Sequence, residues 1–268
     1  MLVSIAQWIN LFATPLYWVC LVSFAYVFFS DQATKEKLSR LLFLVFLNMP
    51  INAAFKCFFK FPLATHLGTN WYAFPSGHMQ FATIFVVWLA LEYRKKWLYY
   101  ATPIILAIRG WALIAGSFHS LLDITAAIIA GLFVIMFYKL IYKIAQQKLA
   151  AQIGFLTTFI CLLLMTLIPY GLDFHWASVG GSLGLTLGLF LLQKFPHQKT
   201  SKFQALLKTM LALAGSGFLL LAINTLHMRL FWISFSCVSM LWITIGIEFL
   251  FKNLHTFFYL KNKIIKKR

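Results

Sequence analysis

Long apolar stretches constrain this chain more than any other feature of its sequence. Stretches of about 20 apolar residues recur along the chain, separated by short polar segments, and about 20 is the number an α-helix needs to cross a bilayer. Because lipid offers no partner for free backbone groups, each stretch should be helical. The sequence therefore predicts an all-α, polytopic integral membrane helical bundle of about nine transmembrane helices. We place them at 8–29, 40–59, 77–93, 97–117, 121–142, 153–172, 176–194, 205–225 and 229–251.

The composition excludes a soluble globular protein and an intrinsically disordered one. Hydrophobic residues make up 62% of the 268 residues and charged residues only 11%. A soluble domain is about half apolar and about one quarter charged, and disorder needs low hydrophobicity. The net charge of +17 would suggest nucleic acid as a partner of a soluble protein. Here membrane topology explains the charge, so we expect membrane lipids as partners and no nucleic acid.

Basic residues collect in alternate loops, and one side of the membrane therefore carries most of the 23 Lys and Arg residues. They occur around 35–40, 94–96, 139–148 and 194–208, and in the tail after 251. The positive-inside rule places this side in the cytoplasm. The N-terminus is then expected outside and the C-terminus in the cytoplasm.

The opposite side is poor in lysine and rich in histidine, which makes it the place to look for a functional site. It collects His66, His78, His119, His175 and His227, together with Asp123 and Asp173.

The composition also changes near Ile153, and we divide the chain there. Residues 1–150 carry most of the intramembrane polar residues and are interpreted as a core with the active site at its outer face. Residues 151–268 are interpreted as additional transmembrane helices and a basic cytoplasmic tail. The small residues of the Gly180–Gly184 segment suit close helix packing.

His119 and Asp123 open the fifth predicted helix with the spacing i, i+4, which places them on one helical face. A carboxylate there can hold the tautomer of an imidazole and stabilise its charged form, leaving the other ring nitrogen as a nucleophile or base. The plainer interpretation is a polar pair at the membrane interface. An ionisable residue at the start of a transmembrane helix favours function, because such residues are costly in lipid.

The third predicted helix opens with Pro75, Ser76, Gly77 and His78. Proline and serine suit a helix start, glycine permits close backbone approach, and the free N–H groups there form an anion site. His78 can then protonate a leaving oxygen. The alternative is a helix cap with an incidental histidine.

Lys56 lies at the outer end of the second predicted helix, inside an apolar stretch. It either extends its ammonium toward water or complements a phosphate.

Together these three segments resemble the type 2 phosphatidic acid phosphatase superfamily, also called lipid phosphate phosphatases. That family carries Lys-x6-Arg-Pro, Pro-Ser-Gly-His and Ser-Arg-x5-His-x3-Asp in this order on successive helices. The resemblance covers roughly residues 40–140, and 72–80 looks like bacterial members that have extra C-terminal helices. It therefore implies a bacterial inner (cytoplasmic) membrane and a site on the periplasmic face.

The resemblance implies a phosphohistidine mechanism that needs no metal or other cofactor. His119 would attack phosphorus, Asp123 would orient it, and His78 would protonate the leaving alcohol. Lys56, Ser76 and Gly77 would hold phosphoryl oxygens. The expected substrate is a phosphorylated lipid that enters from the outer leaflet.

The sequence departs from the family at both motif arginines. The first Arg-Pro falls on Leu63 and Ala64, and the later Ser-Arg falls on Ala112 and Leu113. Each departure removes a bidentate contact that lysine does not reproduce. Arg109 lies one helical turn before Leu113 and is a candidate replacement, with internal packing as the alternative.

The missing arginines leave three functions open. The first is a lipid phosphate phosphatase. The second is a phospho-headgroup transferase or phosphodiesterase, because a diester carries less charge than a monoester and needs fewer cations. The third is a catalytically degenerate lipid-binding or scaffold protein.

Overall fold

A computed structural model of the chain describes residues 5–6, 8–10, 14–29, 31–62, 72–144, 150–167, 173–192, 204–212, 214, 229–247 and 249–251. About 90% of these described residues are helical, and they contain no strand. The predicted all-α class is confirmed for this part of the chain.

The described helices, numbered in chain order, follow the predicted transmembrane helices. They are α1 (Pro15–Phe28), α2 (Gln32–Phe59), α3 (Gly77–Tyr93), α4 (Lys96–Ala115), α5 (Leu121–Ile144), α6 (Ala150–Leu167), α7 (Asp173–Leu192) and α8 (Arg229–Leu241). A π-helical turn at Trp242–Gly246 continues α8. Residues 204–212 are also helical, and the rest of the predicted helix at 205–225 lies almost wholly outside the described residues.

Among the residues that the structure describes, four helices are long and apolar enough to cross a membrane, so the chain fits a membrane protein. They are Gln32–Phe59, Lys96–Ala115, Leu121–Lys143 and Trp232–Phe251. Shorter apolar helices lie at Tyr17–Phe28, Gly154–Thr166 and Trp176–Leu191. The total of nine crossings and their orientation stay predictions.

The 28-residue helix α2 is the centre of the described bundle. It packs against α1, α3, α6 and α7, and its middle turns are buried. It begins eight residues before the apolar stretch because Asp31 caps it, accepting a hydrogen bond from Thr34 N at 2.8 Å. It ends where Lys60 takes a left-handed conformation (φ 57°) and donates its N–H to Lys56 O at 2.9 Å.

Helices α2 to α5 alternate in direction, so basic residues lie at one end of these helices and the predicted site residues lie at the other. The start of α2 meets the ends of α3 and α5 at the basic end. There Arg40 Nη2 lies 2.5 Å from Glu92 Oε1, and Arg40 Nη1 donates to Tyr142 Oη at 3.1 Å. The residues predicted to form the site lie at the other end of these four helices.

Helix α7 approaches α8 closely because its contact face is glycine. A Cβ added at Gly180 would lie 1.9 Å from Ile233 O, and one at Gly184 would lie 2.2 Å from Cys237 O. These distances leave no room for any side chain. The predicted close packing at Gly180–Gly184 is confirmed.

Candidate functional site

The structure brings the predicted site residues to one end of α2 to α5. Lys56 is in the last turn of α2, Ser76 and Gly77 are at the start of α3 with His78, Arg109 is near the end of α4, His119 is in the turn between α4 and α5, and Asp123 is in the first turn of α5.

A tight turn between α4 and α5 positions His119. Ser117 has a left-handed backbone (φ 57°), and the N–H groups of Phe118 and His119 donate to Leu113 O at 3.0 and 3.3 Å. The His119 side chain is 6% exposed, and its Nδ1 lies 3.6 Å from Asp123 Oδ2. That distance is an ion-pair distance and is longer than a hydrogen bond. A small rotation of either side chain would close it.

Asp123 also has a structural role that the sequence analysis missed. Its Oδ2 accepts a hydrogen bond from Ser120 N at 2.8 Å, and Ser120 Oγ accepts one from Asp123 N at 3.2 Å. The two residues form a reciprocal capping box at the start of α5, with aspartate in the place usually taken by glutamate. The signal was present in the sequence as Ser120-x-x-Asp123. Asp123 therefore both caps α5 and faces His119.

The turn before α3 is joined to the start of α5. Ser76 N donates to Asp123 O at 3.2 Å, and Ser76 Oγ accepts from Met79 N at 3.4 Å, so Ser76 caps α3 as predicted. The Phe74–Pro75 peptide bond is cis. His78 follows in the first turn of α3 and is exposed. The two predicted motifs are therefore in direct contact.

Lys56 binds the segment that leads into this turn. It is 6% exposed, and its Nζ donates to Tyr72 O and, at 3.2 Å, to Ala73 O. An ammonium has three protons, so two of them are taken by backbone carbonyls. Lys56 thus fixes the backbone of Tyr72 and Ala73, which leads into Pro75. The neighbouring Lys60 is exposed.

Arg109 contacts the N-terminal segment. It is 3% exposed, and its Nη1 donates to Asn10 Oδ1 at 2.5 Å and to Ile9 O at 3.3 Å. Asn10 in turn donates from Nδ2 to Ala112 O at 3.0 Å. The partner residue Asn10 has no signature in the sequence, because a single amide in an apolar stretch is uninformative about its contacts.

The charged groups Lys56, Arg109 and Asp123 all affect the protonation of His119. Burial first, and then the positive charges of Lys56 and Arg109, lower the pKa of the His119 imidazole to about 4, although Asp123 opposes the shift. His119 is therefore neutral at pH 7, the form in which a ring nitrogen can act as a nucleophile.

The positions of four other predicted outer-side side chains are not described by the structure. His66 and His227 lie outside the described residues, as do the side chains of Asp173 and His175. Within the described ranges, no three His, Cys, Asp or Glu side chains are grouped in a way that would hold a metal ion. No protein family, curated protein or solved structure matches this chain.

Proposed function

We propose that this protein is a membrane-embedded lipid phosphate phosphatase of the type 2 phosphatidic acid phosphatase superfamily. It acts at the outer, periplasmic face through a phosphohistidine intermediate. The observation that carries the proposal is the connection of two motifs distant in sequence: His119 Nδ1 lies 3.6 Å from Asp123 Oδ2, and Asp123 O accepts from Ser76 N at 3.2 Å. This contact joins a nucleophile and its carboxylate to a capped helix N-terminus, where an anion binds.

The chemistry follows from these positions. His119 Nε2 attacks phosphorus while Nδ1–H points to Asp123, so the carboxylate stabilises the imidazolium that forms. The bond from phosphorus to the lipid oxygen breaks, and His78 gives its proton to that oxygen. Water then attacks the phosphohistidine, His78 takes the proton of the water, and the P–N bond breaks. Inorganic phosphate leaves, and both histidines return to their first state.

The phosphoryl group is held by a combination of backbone and cations. The free N–H groups at the start of α3, near Ser76 and Gly77, face the developing negative charge, and the third proton of Lys56 is available to an oxygen. Arg109 contributes its positive charge from within α4, where it acts on both histidines. This arrangement takes the place of the two family arginines absent at Leu63 and Leu113.

Lys56 and Arg109 already donate hydrogen bonds to other groups of the protein, and this favours a second candidate function. Lys56 gives two protons to backbone carbonyls and Arg109 binds Asn10, so less positive charge faces the site than a phosphomonoester with nearly two charges calls for. A phosphodiester carries one charge. Transfer of a phospho-headgroup between lipids, or cleavage of a lipid phosphodiester, would use the same His119 and Asp123. A degenerate, lipid-binding protein is the non-catalytic alternative.

The proposal includes a membrane orientation. The basic end of the bundle, around Arg40 and Arg94, faces the cytoplasm by the positive-inside rule. The His119 end then faces the periplasm, with nine crossings, the N-terminus outside and the C-terminus inside. Residues 1–150 form the catalytic core, and the helices after 150 pack on it through α2. The bilayer is the bacterial inner membrane.

The test compares purified protein with a His119→Ala variant on a mixed bacterial lipid extract. Mass spectrometry follows the lipid products, and a colorimetric assay follows free phosphate. Phosphate release that disappears in the variant supports the phosphatase. Headgroup exchange without free phosphate replaces it with the transferase. Equal results from two folded proteins contradict an enzymatic role on these lipids.

A further inference from the structure

Three buried amides lie directly beneath the turn that opens α3. Asn48 and Asn52 are spaced i, i+4 on α2 and so share a face, and Gln80 on the first turn of α3 lies between them. Gln80 Nε2 donates to Asn48 Oδ1 at 2.8 Å, and Asn52 Nδ2 donates to Gln80 Oε1 at 2.7 Å. Asn48 is 2% exposed, Asn52 is 5% exposed and Gln80 is 0% exposed. Buried amides are costly unless bonded, so each fixes the orientation of the next.

The chain of amides ends on the backbone of the site. Asn52 Nδ2 also donates to Pro75 O at 3.4 Å. On the other side of the same peptide unit, Ser76 N donates to Asp123 O at 3.2 Å. The Pro75–Ser76 peptide is therefore held through its carbonyl by α2 and through its N–H by α5. These two hydrogen bonds fix the orientation of the peptide plane, and with it the positions of Ser76 Oγ and the Gly77 backbone.

Gly77 packs against the Asn52 side chain with no space for a side chain of its own. A Cβ at Gly77 would lie 2.9 Å from Asn52 Oδ1, which is closer than a carbon and an oxygen approach without displacement. Any larger residue would therefore push the Asn52 amide away from Pro75 and Gln80. The contact with Asn52 is therefore the reason that position 77 requires glycine.

We propose that Asn52 is a positioning residue for the phosphate-binding turn, a role that rests on the proposed phosphoryl-transfer function. Asn52 does not touch the substrate. It holds the Pro75–Ser76 peptide so that the N–H groups at the start of α3 point at the transferring phosphoryl group before the substrate arrives. Donors fixed in advance in this way contribute most to the transition state.

The first experiment measures kcat and KM of the wild-type protein and of Asn52→Ala on phosphatidic acid in detergent micelles. The expected result is a kcat lowered roughly 10- to 100-fold with KM within about threefold, because the donors are misdirected rather than removed. Thr83→Val is the matched control. Thr83 is also buried on α3, and its hydroxyl donates only to Met79 O at 2.9 Å, so kcat should stay within about twofold. Asn52→Ser, which leaves a smaller cavity, replaces Asn52→Ala if that variant does not fold.

The second experiment is a double-mutant cycle with Gly77→Ala. In the wild-type background the new Cβ meets Asn52 Oδ1, so Gly77→Ala should lower kcat about tenfold or more. In the Asn52→Ala background that contact is gone, and Gly77→Ala should add little. Additive effects on kcat would overturn the role of Asn52, as would a kcat per folded molecule that Asn52→Ala leaves unchanged. Absence of turnover by the wild-type protein would instead remove the proposed function, and this role with it.

Discussion

Replacing Asp123 by asparagine separates the two roles that the structure gives to this carboxylate. An asparagine oxygen still accepts the hydrogen bond from Ser120 N, so the cap of α5 is preserved, but the charge facing His119 is lost. When His119 attacks phosphorus it becomes an imidazolium, and at an effective dielectric constant of about 20 two unit charges 3.6 Å apart interact by about 4.6 kcal/mol. At about 1.4 kcal/mol per tenfold change, kcat should fall by about three orders of magnitude. The free energy of unfolding should change by less than about 1 kcal/mol.

Ser120→Ala is the matched control for this prediction. It removes the hydroxyl that accepts from Asp123 N at 3.2 Å and leaves the carboxylate and His119 in place. Its stability should fall by about 1 kcal/mol with kcat nearly unchanged. Phosphate release and thermal unfolding in detergent, measured on both variants, give the comparison. If Asp123→Asn keeps the activity of Ser120→Ala, then Asp123 serves only as a helix cap.

Three further predictions concern helix packing, pH and charge. Gly184→Ala should lower the free energy of unfolding by about 3 kcal/mol or more, because its Cβ would meet Cys237 O on α8, and thermal unfolding beside Ala127→Gly checks whether the loss is specific to a close contact. Because the pKa of His119 is lowered to about 4, the unfolded chain binds a proton before the folded protein does. Stability should therefore fall as pH drops from about 6.5 toward 4, and His119→Gln should show a weaker fall in a pH series of melting temperatures. Arg109→Gln should lower kcat/KM for phosphate release at least about tenfold and Arg109→Lys less, whereas equal losses would assign Arg109 to packing against Asn10.

Helix starts were predictable where a polar cap meets an apolar stretch. The predicted starts at residues 77 and 121 coincide with those of α3 and α5, because Ser76 and Ser120 cap these helices. The transmembrane stretch predicted from residue 40 is part of a longer helix, because α2 begins at Gln32. Hydropathy detects only the apolar part of a helix, whereas Asp31 caps a polar extension that packs into the bundle.

The clustering of the candidate site residues at one end of the helices was predictable, and their contacts were not. The alternation of helix direction places Lys56, His78 and His119 at one end, and this follows from the order of the apolar stretches. The partners of Lys56 are backbone carbonyls, which have no signature in a sequence. Asn52 is a single amide within an apolar stretch, and only the packing of α2 against α3 shows that it reaches Pro75.

The proposed phosphohistidine can be trapped on the protein and located. Purified protein is mixed with a lipid substrate carrying a labelled phosphoryl group and quenched in alkaline denaturant, where phosphohistidine survives. Peptides are then mapped by mass spectrometry. We expect an acid-labile phosphoryl group on His119 that is absent from His119→Ala and reduced in Asp123→Asn. Turnover of the substrate with no label on His119, or with label on another residue, would rule out a phosphohistidine at this position.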